Sequence, residues 1–275
     1  VRRPILAAFA LAPLALPAQR VAEYRFGADT LRYDERTTGR VTMFAPSGEV
    51  VVRTDHDARL ALAASGAGRV RGWYERLALR KQGPGLAEQV GDTRALLGRA
   101  YALAVSPRGE VRVETLPAIP APVASMTDLT RQFDDFLVVL PAGQPLRAGT
   151  VWVDTLVRTG GGRPDSTTTA RHVRRHRVER DTVVGGQPAV VIALQQSVRI
   201  DGVAPMPGGA GRMRTHLEGE EDGRAVFVPG AGRLVARERR GTLTGQIAVT
   251  GTRQPLELPQ RFEYTSTMTL VPARP

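Results

Sequence analysis

The stretch Asp57-Ala58-Arg59-Leu60-Ala61-Leu62-Ala63-Ala64-Ser65 reads as a β-strand. Ala58, Leu60, Leu62 and Ala64 fall on one face, and Arg59, Ala61, Ala63 and Ser65 on the other. That is a period of two, not the 3.6 of a helix. The same period returns near the C-terminus, where Phe262, Tyr264, Met268 and Leu270 alternate with Glu263, Thr265, Thr267 and Thr269. Between them, Ala189-Val190-Val191-Ile192-Ala193-Leu194 is apolar on both faces, the pattern of a central strand. Turns punctuate the chain at Pro46-Ser47-Gly48, Gly66-Ala67-Gly68, Ser106-Pro107-Arg108-Gly109, Gly185-Gly186 and Pro229-Gly230-Ala231-Gly232. Many of the intervening strands run to ten residues or more, about 33 Å each.

One helix stands out. Ser125-Met126-Thr127-Asp128 has the form of a capping box, with Asp128 in place of the usual Glu. Met126, Leu129, Phe133 and Phe136 then recur at spacings of three and four, so they share one apolar stripe. A weaker helical pattern from Leu86 to Leu97 is interrupted by Gly91. The fold expected is mainly β: a long antiparallel, curved sheet, half-barrel-like or built as two related β halves, with one short packed helix. The hairpin pattern of Gly98 to Glu114 returns at Gly223 to Arg237, which suggests those halves. The expected division is a signal peptide at 1–18, a first β half at 19–117, a Pro-rich and helical connector at 118–148, and a second β half at 149–275.

The 275 residues carry 38 Lys+Arg against 27 Asp+Glu, a formal charge of +11. Lys81 is the only lysine, and asparagine is absent. An Arg-rich, Lys-poor balance fits GC-rich bacterial coding; it also fits an anionic partner, and charge alone does not separate the two. Cysteine is absent, so disulfides, thiolate metal sites and cysteine nucleophiles are excluded. Residues 1–18 run from basic Arg2 and Arg3 through an apolar segment to Leu16-Pro17-Ala18, the order of a cleaved export signal. The expected location is therefore periplasmic or extracellular. No segment of the mature chain is long and apolar enough to be expected to cross a bilayer.

Leu137-Val138-Val139-Leu140-Pro141 followed by Gly149-Thr150-Val151-Trp152, the segment Val178 to Gly185, and Ser106-Pro107-Arg108-Gly109-Glu110-Val111 together resemble exported, β-rich bacterial proteins of unknown function. Long curved strands with one packed helix are also similar, at fold level, to the periplasmic lipoprotein-carrier half-barrels. The resemblance brings no functional residues with it.

The chemistry-bearing residues point away from catalysis. His172 and His176 share a strand face but lie about 13 Å apart, too far to hold one metal. Asp55-His56-Asp57 reads as an exposed turn, and Glu218, Glu220, Glu221 and Asp222 as a solvated hairpin end. Alternation places Arg171, Arg175 and Arg177 on one strand face and Arg174 and Arg180 on the other, as on a charged edge strand. No aromatic interleaves with these arginines to stack on bases, so no nucleic-acid partner is expected. No G-x-S-x-G, S-x-x-K or H-E-x-x-H occurs. The chain is thus read as no enzyme, with no catalytic residue, metal or cofactor. The expected function is that of an exported envelope protein binding a lipid or other apolar ligand between sheet and helix, with Met126, Leu129, Phe133 and Phe136 facing it. The alternative is a structural or interaction protein of the envelope without a small-molecule ligand, its partner an envelope component.

Overall fold

The structure, a computed structural model, describes residues 21–272 apart from 86, 125, 128, 161–165, 206–210 and 252–255. The expected signal peptide and both end residues of the capping box, Ser125 and Asp128, lie outside the described residues.

Among the described residues, twelve strands form one antiparallel sheet, curved and open. In chain order they are β1 (Leu31–Ala45), β2 (Gly48–Gly66), β3 (Arg69–Gln82), β4 (Gln89–Val90), β5 (Tyr101–Val105), β6 (Val111–Thr115), β7 (Val151–Gly160), β8 (Thr167–Val184), β9 (Gln187–Pro205), β10 (Arg212–Val228), β11 (Arg233–Thr250) and β12 (Leu256–Leu270). The spatial order is β6-β5-β3-β2-β1-β12-β11-β10-β9-β8-β7, with β4 also against β3. The first and last strands pair along their length, Tyr33 opposite Leu270 and Met43 opposite Gln260, so the strands before and after the connector make one continuous sheet. The connector contributes two short helices, α1 (Ala121–Ala124) and α2 (Leu129–Asp134).

Several strands are longer than the sequence pattern predicts, because residues that resemble turns sit in mid-strand. Asp55-His56-Asp57 is no turn: β2 runs through it, with His56 buried on the inner face and Asp57 paired to Arg76 on the outer face. The acidic corner is no hairpin end either. β10 runs straight through Glu218 to Asp222, and Glu221 is buried. Gly241 does not break β11, since a Cβ there would meet Glu221 Cγ and Tyr264 Cε1, both at 2.7 Å; the missing side chain gives those two room. The helix expected over 86–97 is absent among the described residues; a short strand and a 3₁₀ turn at Arg94–Leu96 stand there instead.

Prolines inside strands occur where a strand overhangs its neighbour. Pro259 opposes Gln246 on β11, but pairing with β1 begins only at Gln260. Pro188 opposes Val183 on β8, while pairing with β10 stops at Val190. A missing N–H is tolerated at such positions.

The outer face is a lattice of cross-strand ion pairs. Arg59 Nη2 lies 2.7 Å from Asp34, Arg76 2.8 Å from Asp57, Arg240 3.0 Å from Asp222 and Arg224 3.0 Å from Glu179. Such a face suits water. Facing lipid, each charge near the midplane would cost about 2–4 kcal/mol. Among the described residues no helix is long and apolar enough to cross a membrane.

Candidate functional site

The inner face of the sheet falls into three zones along the strands. The first is a closed apolar core under the connector. Tyr33 on β1, Leu60 and Leu62 on β2, Tyr74 on β3 and Ile192 on β9 meet Leu129, Phe133 and Phe136 there. Phe133 is 1% exposed, with its ring 4.3 Å from Tyr101 and 5.6 Å from Tyr74; Phe136 stands edge-on to Tyr33 at 5.1 Å. The connector is stitched down by polar contacts at its far end. Trp152 Nε1 donates to the Val139 carbonyl at 2.8 Å, and the Tyr24 hydroxyl to that of Val138 at 2.9 Å.

The four residues expected to face a ligand are therefore brought together, but inside a packed core. Leu129, Phe133 and Phe136 are buried and Met126 is half-buried against them. Clear depressions open instead on the outer face, where Arg40, Asp55, Glu220, Asp222 and Arg240 make one of them polar.

The second zone is a belt of buried charge across the middle of the sheet, which the sequence pattern missed. Asp135, just past α2, points its carboxylate at Arg174 on β8, whose Nη1 donates at 3.0 Å, and at Arg239 on β11. Arg237 Nη1 donates to the carbonyls of Asp135 and Phe136. Arg174 also grips Asp154 on β7 at 2.5 Å, and His176 Nε2 sits 2.6 Å from the same carboxylate beneath the stacked ring of Trp152. Across the belt, Gln132 on α2 accepts from the Tyr74 hydroxyl at 2.7 Å and donates to His56 Nδ1. Gln196 on β9 donates to His172 Nδ1 at 2.9 Å and to Glu221.

Burial alone would raise the Asp135 carboxyl. Arg239, then Arg237 and Arg174, outweigh it and hold the group far below the carboxylate range. Burial pushes Arg237 down to about 10, so it keeps its proton at neutral pH. Burial opposes ionisation of Asp154 as well, but its bond to His176 and the charge of Arg174 win and lower it. His56 is shifted the other way: desolvation lowers its pKa and favours the neutral ring. Asp135 and Asp154 are thus committed as partners of arginine and histidine. Among the described residues, no group of three or more His, Cys, Asp or Glu is placed to hold a metal ion.

The charged-edge reading of the arginine stretch changes accordingly. β8 is covered by β7, and Arg174 is an interior ion-pair partner. Arg180 does not share the face of Arg174: the register shifts between Val178 and Arg180, which carries Arg180 to the exposed side.

The third zone lies beyond the belt. Its buried cluster is made of strand side chains alone, Ala170, Val198, Ile200 and Leu243 with Leu217 and Phe262. Past these, Ile247 on β11, Leu258 on β12, and Val41 and Met43 on β1 remain half-exposed on the inner face. All connector side chains that join a core cluster belong to the first zone. Leu243 and Val249 on β11 are themselves buried, but the half-exposed apolar side chains around them run from Val41, level with Leu243, to Met213 on β10, opposite Val249, a strip of about 20 Å at the strand rise.

No protein-family model matches the chain, and no curated protein does. Among solved structures it is similar to a lipovitellin chain from a study of lipid–protein interactions, at 12% identity and a TM-score of 0.41. The match covers 92% of this chain and 26% of that one, so the chain spans about a quarter of the other's length.

Proposed function

We propose that this chain is a non-enzymatic binding protein that holds the acyl chain of a lipid along the open strip of its inner face. The observation that supports this is the half-exposed apolar surface of Ile247, Leu258, Val41 and Met43 beyond the charged belt. A strip of about 20 Å is long enough for the hydrocarbon of one bilayer leaflet, about half of a 30 Å core. The site differs from the sheet-to-helix gap expected from sequence, because Phe133 and Phe136 already fill that gap. The belt sets the inner limit of the strip, since an acyl chain pushed further would strip its partners from Asp135 or Arg174. We also propose the bacterial envelope as the setting, on the export pattern of residues 1–18.

The test is titration with a fluorescent fatty acid. Ile247→Glu and Leu258→Glu are each expected to weaken binding by about tenfold or more, because an unpaired carboxylate would have to be desolvated against the chain. Thr244→Glu, on the exposed outer face of β11, is expected to leave binding unchanged. Saturable binding that ignores the two inner-face substitutions would refute the proposed site, and no binding at all would refute the function.

A further inference from the structure

β7 ends the sheet on one side. It pairs with β8 from Val151 to Gly160 and, among the described residues, with no other strand. A free edge is a template for another strand, and proteins blunt it with short length, charge, proline or a bulge. The opposite edge follows that rule: β6 has five residues, with Arg112 and Glu114 outward. β7 does not. It has ten residues, no proline, and an unbroken register with β8. Its outward side chains are Val151, Val153, Thr155, Val157 and Thr159, and the three valines are 41%, 60% and 57% exposed. Its two charged side chains, Asp154 and Arg158, both lie on the inner face, so the outward face has no charge to discourage pairing.

Directly behind the valines stands a row of cations. Arg177 opposes Val151, Arg175 opposes Val153 and Arg171 opposes Val157. All three are exposed, and none forms an ion pair among the described residues. Elsewhere on the outer face, Arg59, Arg76, Arg224 and Arg240 are neutralised by cross-strand carboxylates.

We propose that β7 is a docking edge for an extended acidic segment of another polypeptide, which joins the sheet as a further strand and sets alternate carboxylates against Arg171, Arg175 and Arg177. Main-chain hydrogen bonds to β7 give such a strand its hold, and the side-chain pattern gives selectivity. The incoming backbone lies two strand spacings from β8, about 10 Å. A long arginine stem and a glutamate span that gap over the short valines, and the glutamate methylenes cover the exposed valine surface. Charge chooses this occupant over a second copy of the chain. Two β7 edges brought together would set two like-charged arginine rows about 14 Å apart with no carboxylate supplied to either, on a chain whose formal charge is already +11. This edge lies on a different part of the sheet from the apolar strip and is independent of lipid binding.

The test uses the full chain and a ten-residue peptide of alternating Glu and Val, with an alternating Lys and Val peptide as control. The Glu peptide is expected to bind, to weaken as salt rises, and to slow amide exchange in β7. The double variant Arg175→Glu/Arg177→Glu, confined to exposed positions, is expected to lose about tenfold in affinity for the Glu peptide and to bind the Lys peptide instead. Failure of the Glu peptide to bind, or equal binding of both peptides, would overturn the proposal. So would a peptide-free chain that sediments as a dimer with its β7 amides already protected, since the edge would then belong to a second copy.

Discussion

Asp135 and Arg174 form a buried ion pair, 3.0 Å between Oδ1 and Nη1, with their side chains 15% and 7% exposed. The pair joins the end of α2 to β8, and the other oxygen of the same carboxylate reaches Arg239 on β11. One carboxylate thus ties the connector to two strands that have β9 and β10 between them. Removing it leaves Arg239 buried without its ion-pair partner and leaves Arg174 with Asp154 alone. Asp135→Ala is expected to cost about 3–5 kcal/mol of unfolding free energy in urea titration. A loss under about 1 kcal/mol would mean the cluster is solvated and the connector is held by packing alone.

The closed first zone makes its own claim. Phe133 packs on Tyr74 and Tyr101 and is 1% exposed. Phe133→Ala is expected to cost about 3–5 kcal/mol, the range for a well-packed phenylalanine, and to leave fatty-acid binding intact if the variant is assayed below its Tm. A small stability loss together with lost binding would move the ligand back under the connector.

Glycine on the inner face sets how closely the strands approach. A Cβ on Gly219 would lie 2.8 Å from Leu243 Cα and closer still to the Thr242 carbonyl, which belong to the neighbouring strand and have no freedom to move aside. Gly219→Ala is expected to cost about 1–3 kcal/mol. Gly27→Ala, where nothing lies within 4 Å, is the control and should be neutral or slightly stabilising. Equal effects at the two positions, read by thermal denaturation, would contradict the packing described.

His56 gives the fold a pH dependence. Desolvation lowers its pKa in the folded chain, partly opposed by Glu35 and Asp57, while an unfolded histidine titrates near 6.5. The stabilisation is therefore complete above about pH 6.5 and is lost as pH falls from there through the folded value, because the unfolded chain takes up the proton first. Unfolding free energy is expected to drop between about pH 7.5 and 5.5, and to drop less in His56→Gln. An identical slope in the variant would place the effect on another group.

Much of the sheet was legible from alternation. The residues of β2 and β12 separate into apolar and polar sets at period two, β9 shows the two-sided apolar run of an inner strand, and the Gly-containing turns fall between strands as read. What alternation concealed were the places where the inner face itself is polar. Arg237-Glu238-Arg239-Arg240 has no contrast between its faces, although Arg237 and Arg239 are interior and Arg240 pairs outward with Asp222. His56 and Glu221 sit in acidic runs whose neighbours are exposed, so each run resembles a turn. Only Arg174, separated by parity from Arg171, Arg175 and Arg177, carried a signal of the belt. The apolar stripe of Met126, Leu129, Phe133 and Phe136 was legible as a packing surface. Whether it met a ligand or the sheet depended on Tyr33, Tyr74 and Tyr101, whose approach from distant strands no local pattern encodes.

The central claim is that an acyl chain lies along the open end of the inner face. The most direct measurement is photo-crosslinking with a fatty acid that carries a diazirine along its chain, followed by peptide mapping of the adducts. The account predicts adducts in the inner-face segments of β10, β11 and β12, at 213–217, 243–249 and 258–262, suppressed by unlabelled fatty acid. Adducts concentrated at 126–137, or no adduct that unlabelled fatty acid suppresses, would contradict it.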